Sequence, residues 1–198
     1  MSFGKNFEHE DKLFSAALRE FSANGYDQAS INRILDEAGM SKGQFYYHFR
    51  NKEGLYLALI GVMVGQKRDF LQNIMQATTA QNDIYSIFQA RMTYELAFAR
   101  EHPAVNAFGE SFERERGSEI YTKAAEQFNL NNNDLLNALI ELAYQKGDFR
   151  KDIPLEFIKP LLVYVFNHAG DMVDLSDAQS FDVNLDFLLD FLKSGLAK

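Results

Sequence analysis

Lys42, Gln44, Tyr46, Tyr47, His48, Arg50 and Lys52 crowd into eleven positions, and the stretch Gly39–Lys52 holds no Asp or Glu, so its local charge is +3. Such a set suits a polyanion. A lysine at position 42 can reach a guanine edge or a phosphate, and Gln44 can make paired hydrogen bonds to adenine. Gly43, lacking a side chain, lets its backbone come close to a ligand surface, and Tyr46 and Tyr47 offer hydroxyls and ring edges. Upstream, Ser30 and Asn32 can add a phosphate and a base contact. Phosphate contacts would set affinity and salt dependence, while Lys42, Gln44 and Tyr47 would set sequence preference. The same residues have plainer uses: Lys42 as a solvated surface lysine, Ser30 and Gln44 as helix caps.

Other chemistries find little support. His168, Asp171 and Asp174 stand three apart on one predicted helix, a spacing open to a carboxylate–imidazole metal site or an acid–base pair. A capped, solvated helix end explains them as well. The chain has no HExxH pattern, phosphate loop or nucleophile elbow. With no Cys among its 198 residues it has no disulfide, thiolate metal site or thiol nucleophile. We therefore expect no catalytic residues, no metal, no cofactor and no enzyme.

The elements that must hold the basic stretch read as helices. Phe14, Ala17, Leu18 and Phe21 sit at offsets 0, 3, 4 and 7, one apolar stripe of a helix that Gly25 ends. Ile31, Ile34, Leu35 and Ala38 repeat the pattern between Ser30, an N-cap, and Gly39, a stop. Ser41 and Gln44 match the S-x-x-Q capping box and open a third helix over Lys42–Arg50 with Phe45 and Phe49 buried four apart. Asn51 caps a fourth, Lys52–Gln76. Two short helices joined by Gly39-Met40-Ser41 have the length and turn chemistry of a helix-turn-helix, whose second helix enters the DNA major groove.

Further helices are predicted near Asp83–Glu101, Pro103–Glu115, Ser118–Lys146, Pro154–Val173 and Asp182–Ser194, about nine in total and no strand. The Asn129–Asn133 run is either a loop or a polar break, and Pro160 either kinks its helix or marks its true start near Lys159. Glu110, Glu113 and Glu115 read as a solvated face. Residues 1–52 carry seven basic and seven acidic side chains, so the whole net charge of −8 lies in 53–198. An even head on an acidic body fits a DNA-contacting domain, 1–52, before a separate helical domain, 53–198. Leu55–Gln66, the longest charge-free run near the front, is too short to span a bilayer. Nor does charged Met1–Lys12 resemble a secretory signal. A cytoplasmic protein is expected.

Gly25-Tyr26, Ser30-Ile31, Ile34, Ala38-Gly39-Met40-Ser41, Gly43, Phe45-Tyr46, His48-Phe49 and Asn51-Lys52-Glu53 with Leu55 together resemble the tetracycline-repressor (TetR) family. The resemblance covers about residues 9–55; Leu35 and Met40 depart from its usual Ala and Val while staying apolar. It implies an all-α chain with an N-terminal three-helix helix-turn-helix domain and a helical ligand-binding and dimerisation domain. It further implies a bacterial repressor that binds a palindromic operator as a homodimer and is released by a small-molecule effector of unknown identity. By the same resemblance Tyr46 and Tyr47 lie at the DNA surface, and His48 and Lys52 touch phosphates. A same-fold regulator controlled by a protein partner, an activator, and a helical enzyme using His168 and Asp171 are the alternatives.

Gln145–Asp152 resembles the turn before the last two helices of that family. The body is rich in aromatics, from which we expect Phe88, Met92, Phe98, Phe112, Tyr121, Tyr164 and His168 to line an effector pocket. Ile158, Leu161, Leu162, Val165, Ala169 and Met172 form one stripe, and Leu185, Leu188 and Leu192, flanked by Phe187 and Phe191, another. Two terminal helices so broadly apolar suit a two-fold four-helix interface, with Leu161, Val165, Leu185, Leu188 and Leu192 as its contacts.

Overall fold

Gly25, expected to end the first helix, instead breaks it before it resumes to Gln28, and Gly39 ends the second; each has φ of 66°, a backbone region that a side chain disfavours and that glycine enters freely. The computed structural model describes residues 3–77, 83–172 and 178–197, except the side chains of 67, 70–77, 171–172 and 178–180. These residues form ten helices: α1 Glu10–Gln28, α2 Ile31–Ala38, α3 Lys42–Phe49, α4 Lys52–Ala77, α5 Ile84–Glu101, α6 Pro103–Arg114, α7 Glu119–Phe128, α8 Asp134–Lys146, α9 Leu155–Met172 and α10 Ala178–Leu196. The chain is all-α, and among the described residues no helix is long and apolar enough to cross a membrane.

About nine helices were expected; the tenth arises where Ser118–Lys146 divides. Asn129 adopts a left-handed φ of 52°, and the Asn129 and Leu130 N–H groups fold back onto the Glu126 and Ala125 carbonyls. Asparagine tolerates that conformation better than most residues, so the run both stops α7 and lets the chain restart at Asp134. Pro160 lies inside α9 rather than at its start. Its ring leaves the Glu156 carbonyl without a helical donor, and both residues are exposed, so water can take that place. The third helix stops one residue early, at Phe49, because Arg50 takes φ 64°.

The chain packs as two units, residues 1–70 with 101–131, and 71–100 with 132–198. The boundary expected between 52 and 53 falls inside the first. There the predicted stripes become core: Phe14, Ala17, Leu18 and Phe21 of α1, Ile34, Leu35 and Ala38 of α2, and Phe45 and Phe49 of α3 are all buried. Tyr56 of α4 sits edge-on to Phe21 at 4.8 Å and to Phe108 of α6 at 5.3 Å. α6 also completes the broken end of α1. The Ser111 hydroxyl, buried, donates to the Phe21 carbonyl at 3.1 Å, and the Tyr26 N–H, turned out of the helix by Gly25, donates to Glu115 at 2.8 Å. Glu115 was expected on a solvated face; closing a helix end across the fold is what holds it instead.

The second unit is a bundle of α5, α8, α9 and α10 with the end of α4. Phe88, Met92, Ile140, Phe149, Ile158, Leu162, Phe166, Phe181, Leu185 and Leu189 belong to its core. The Arg150 N–H donates to the Leu196 carbonyl at 2.9 Å, tying the turn after α8 to the end of α10.

Candidate nucleic-acid interface

The capping box at the start of α3 forms as its sequence requires. The Gln44 N–H donates to the Ser41 hydroxyl oxygen at 3.3 Å, while the Ser41 N–H and O–H donate to Gln44 Oε1 at 3.1 and 2.9 Å. One side of this eight-residue helix is then fixed by Phe45 and Phe49 in the core, and the other is open. It presents Lys42, Gly43, Gln44, Tyr46 at 54% and Tyr47 at 84% exposure. A Cβ at Gly43 would meet nothing within 4 Å, so no neighbour within the fold demands glycine there. Because the box occupies Oε1 of Gln44, only its amide N–H groups remain to read an acceptor. The paired adenine contact is closed while the cap stands.

At the start of α2, the Ser30 hydroxyl accepts the Arg33 N–H at 3.4 Å, which is the capping role, and Asn32 is exposed beside it. Arg33 is occupied by Glu20, whose carboxyl is held below its ordinary range chiefly by that guanidinium, burial opposing. Arg19 pairs with Glu37. Lys52 is engaged as well. Its ammonium donates to the Asp27 and Ala29 carbonyls at 3.0 and 3.3 Å and lies 4.8 Å from the Tyr26 ring centre, so it joins the start of α4 to the end of α1. Two of its three protons are committed inside the fold.

Lys42 and Arg50 differ: both are exposed, and neither has an ion pair among the described residues. Arg50 is the centre of a γ-turn, with φ 64° and ψ −44° and the Asn51 N–H donating to the Phe49 carbonyl at 2.7 Å. Its charge was visible in the sequence, but its presentation between α3 and α4 was not. His48 is half-buried under Phe7, ring on ring at 4.1 Å, and the Lys5 ammonium donates to its carbonyl at 2.9 Å. Lys5 and Phe7 lie in a segment without periodicity, which gave no signal.

The expected pocket residues fall into both units. Phe112 and Tyr121 stack at 4.8 Å in the first. In the second, Phe88 and Met92 are core, Tyr94 and Phe98 meet at 6.0 Å, and Tyr164, more than half exposed, stacks on His168 at 4.2 Å. The Asp171 side chain and all of Asp174 lie outside the described residues. Of the expected dimer contacts, Val165, Leu185 and Leu192 are buried within their own unit, and only Leu161 and Leu188 are partly open. The faces of α9 and α10 left open carry Phe157, Tyr164, Val183, Phe187 and Phe191.

Residues 13–59 match the family described as bacterial regulatory proteins, tetR family. The HTH-type transcriptional regulator LmrA of Bacillus subtilis is 36% identical over 80 residues, 40% of this chain and 41% of LmrA. The chain spans less than two thirds of the length of the curated relatives it matches. Its fold resembles a TetR family transcriptional regulator from Chloroflexus aurantiacus, with a TM-score of 0.73 and 21% identity over 98% of this chain and 96% of that one. It also resembles FadR from Bacillus subtilis in complex with stearoyl-CoA, at 0.69 and 16% over 93% and 98%. Sequence motif, capped third helix and family match coincide on the same residues, and it is the segment 13–59 that matches the tetR family of bacterial regulatory proteins.

Proposed function

We propose that this chain is a transcriptional repressor that works in the cytoplasm, not an enzyme, and binds a palindromic operator as a homodimer released by a small molecule. The observation that supports it most is the open face of α3, where unpaired Lys42 and Arg50 flank Gly43, Gln44, Tyr46 and Tyr47 with no carboxylate on the helix. Ser30, Asn32 and His48 add contacts at its borders. Lys52 would hold the α1–α4 corner and offer its remaining proton to a phosphate. In functional terms residues 1–52 carry the DNA-facing groups and 53–198 the sensor. Two heads would meet half-sites about 34–36 Å apart, or a multiple of that repeat.

For the homodimer, the open apolar row of α9 and α10 replaces the buried leucines as the proposed contact: Phe157, Leu161, Tyr164, Val183, Phe187, Leu188 and Phe191. For the effector, the second unit offers an apolar core with a polar handle, the Tyr85 hydroxyl, which is buried without a hydrogen-bond partner among the described residues. Burial pushes that phenol up to about 12, so it would present an O–H donor to a ligand acceptor. The effector acts only through its different affinities for the DNA-bound and released arrangements.

The test is protection of the gene's own upstream DNA, beside selection from a random-sequence pool, by the wild-type chain and by a Lys42→Ala, Tyr47→Ala double variant. A two-fold symmetric site lost in the variant is expected. Equal protection by both proteins would remove α3 from the reading.

A further inference from the structure

The residues before α1 form a built segment, although they precede both the family match and the apolar periodicity. Four anchors hold it. Phe3 packs on Phe14 at 5.1 Å and on Phe49 at 4.9 Å. Glu10, buried in the first turn of α1, accepts the Lys5 and Asn6 N–H groups at 3.1 and 2.7 Å. Phe7 lies flat on His48, and the Lys5 ammonium donates to the His48 carbonyl and sits 4.6 Å from the Phe49 ring centre. Each of these contacts is to the start of α1 or the last two residues of α3.

That end of α3 has a specific electrostatic difficulty in front of DNA. A helix C-terminus gathers unpaired carbonyls and the negative pole of the helix, which repel a phosphate. Lys5 answers it: one proton satisfies the His48 carbonyl, and two remain on an exposed ammonium. Among the described residues no carboxylate is paired with it or with Arg50, and Glu10 is turned to the backbone of the segment itself. Lys5, His48 and Arg50 thus converge at one end of the recognition helix.

We infer that the segment Phe3–His9 is part of the DNA-contacting surface, with Lys5 as a phosphate-contacting cation and Phe7 as the positioning residue that fixes the His48 ring. This rests on the DNA-binding reading above and extends it to residues that the helix-turn-helix does not contain. Lys5 adds affinity without sequence preference.

The experiment compares wild type, Lys5→Gln, Lys5→Arg and Phe7→Ala on a labelled random-sequence duplex, by anisotropy across a salt series, with thermal melting of each protein. Lys5→Gln is expected to lower the log–log salt slope by about 0.9 per head, about 1.8 for the homodimer, so that its deficit shrinks about 12-fold between 50 and 200 mM salt. Lys5→Arg restores the slope. Phe7→Ala is expected to weaken binding several-fold at an unchanged slope. Lys5→Gln with wild-type slope overturns the inference, whether its melting temperature is unchanged or lowered; in the second case Lys5 is a structural cap and nothing more. Failure of every protein to bind any duplex would instead bring down the DNA-binding reading, and this inference with it.

Discussion

Glycine in the interior of a helix normally costs stability, so replacing it with alanine is expected to help by about 0.5–1 kcal/mol. Gly54, in the first turn of α4, should do the reverse. A Cβ there would stand 2.1 Å from the Phe49 carbonyl oxygen and 3.2 Å from its carbon. Both are backbone atoms, so no rotamer change relieves the overlap; reaching an ordinary C···O distance of about 3.3 Å requires the end of α3 to retreat by about 1.2 Å. The Arg50 γ-turn and the Gly54 N–H donation to Asn51 Oδ1 at 2.7 Å would both be disturbed. Overpacking of this kind costs about 1–3 kcal/mol and a lost cap about 1 more, less about 1 for the propensity of alanine. The net prediction for Gly54→Ala is a loss of about 1–3 kcal/mol. Gly65 on the same helix is the control, because a Cβ there meets nothing within 4 Å and Gly65→Ala should gain about 0.5–1 kcal/mol. Urea unfolding, with an m-value of about 2 kcal/mol/M, would separate the two midpoints by roughly 1–2 M in opposite directions from wild type. DNA affinity should fall only for Gly54→Ala. A Gly54→Ala midpoint at or above that of wild type would refute the packing argument at the α3–α4 corner.

Ser111→Ala should destabilise by about 0.5–1.5 kcal/mol in the same unfolding assay, because it removes the buried hydrogen bond from that hydroxyl to the Phe21 carbonyl. The anchor of the N-terminal segment should be acid-labile. Burial opposes ionisation of Glu10, but the backbone N–H groups of Lys5, Asn6, Phe7 and Gly4 outweigh it and hold the carboxyl below its ordinary value. Its stabilisation is therefore complete above the ordinary carboxyl range and disappears as pH falls through the lowered value. The Asn6 amide resonance should follow that titration, and Glu10→Gln should abolish it. Phe187 and Phe191 stand 67% and 77% exposed. Replacing both with Asp should leave a folded monomer by sedimentation, since burying four such rings across a two-fold interface is worth at least about 6 kcal/mol, some four decades in dissociation constant.

What the sequence revealed was local in origin. Ser30, Gly39, and the Ser41–Gln44 box lie within a few residues of the groups they satisfy, so turn chemistry alone places α2 and α3. The stripes of α1 to α3 face one core and were read without ambiguity. α10 defeated the same method because it is apolar on two sides. Spacing shows that Leu185, Leu188 and Leu192 share a row with Phe187 and Phe191 beside it, but not which row turns inward. The fold turns Leu185, Leu189 and Leu192 in and the phenylalanines out.

The site residues that escaped reading share another property: each depends on where a distant helix end lands. Lys52 has the family position of a phosphate contact, yet the carbonyls it meets lie 23 and 25 residues earlier. Glu115 and Ser111 act on Tyr26 and Phe21, 89 and 90 residues away. Lys5 reaches the end of α3 across 43 residues. All three cases involve backbone groups in the last turn or at the end of a helix, which draw donors or acceptors from elsewhere in the chain. The head is therefore held by side chains at the ends of α1 and α3 as much as by its apolar core. A cation or carboxylate assigned to solvent or to DNA from sequence has first to be tested against those helix ends. By that test Lys42 and Arg50, which no helix end claims, are the cations most available to a phosphate.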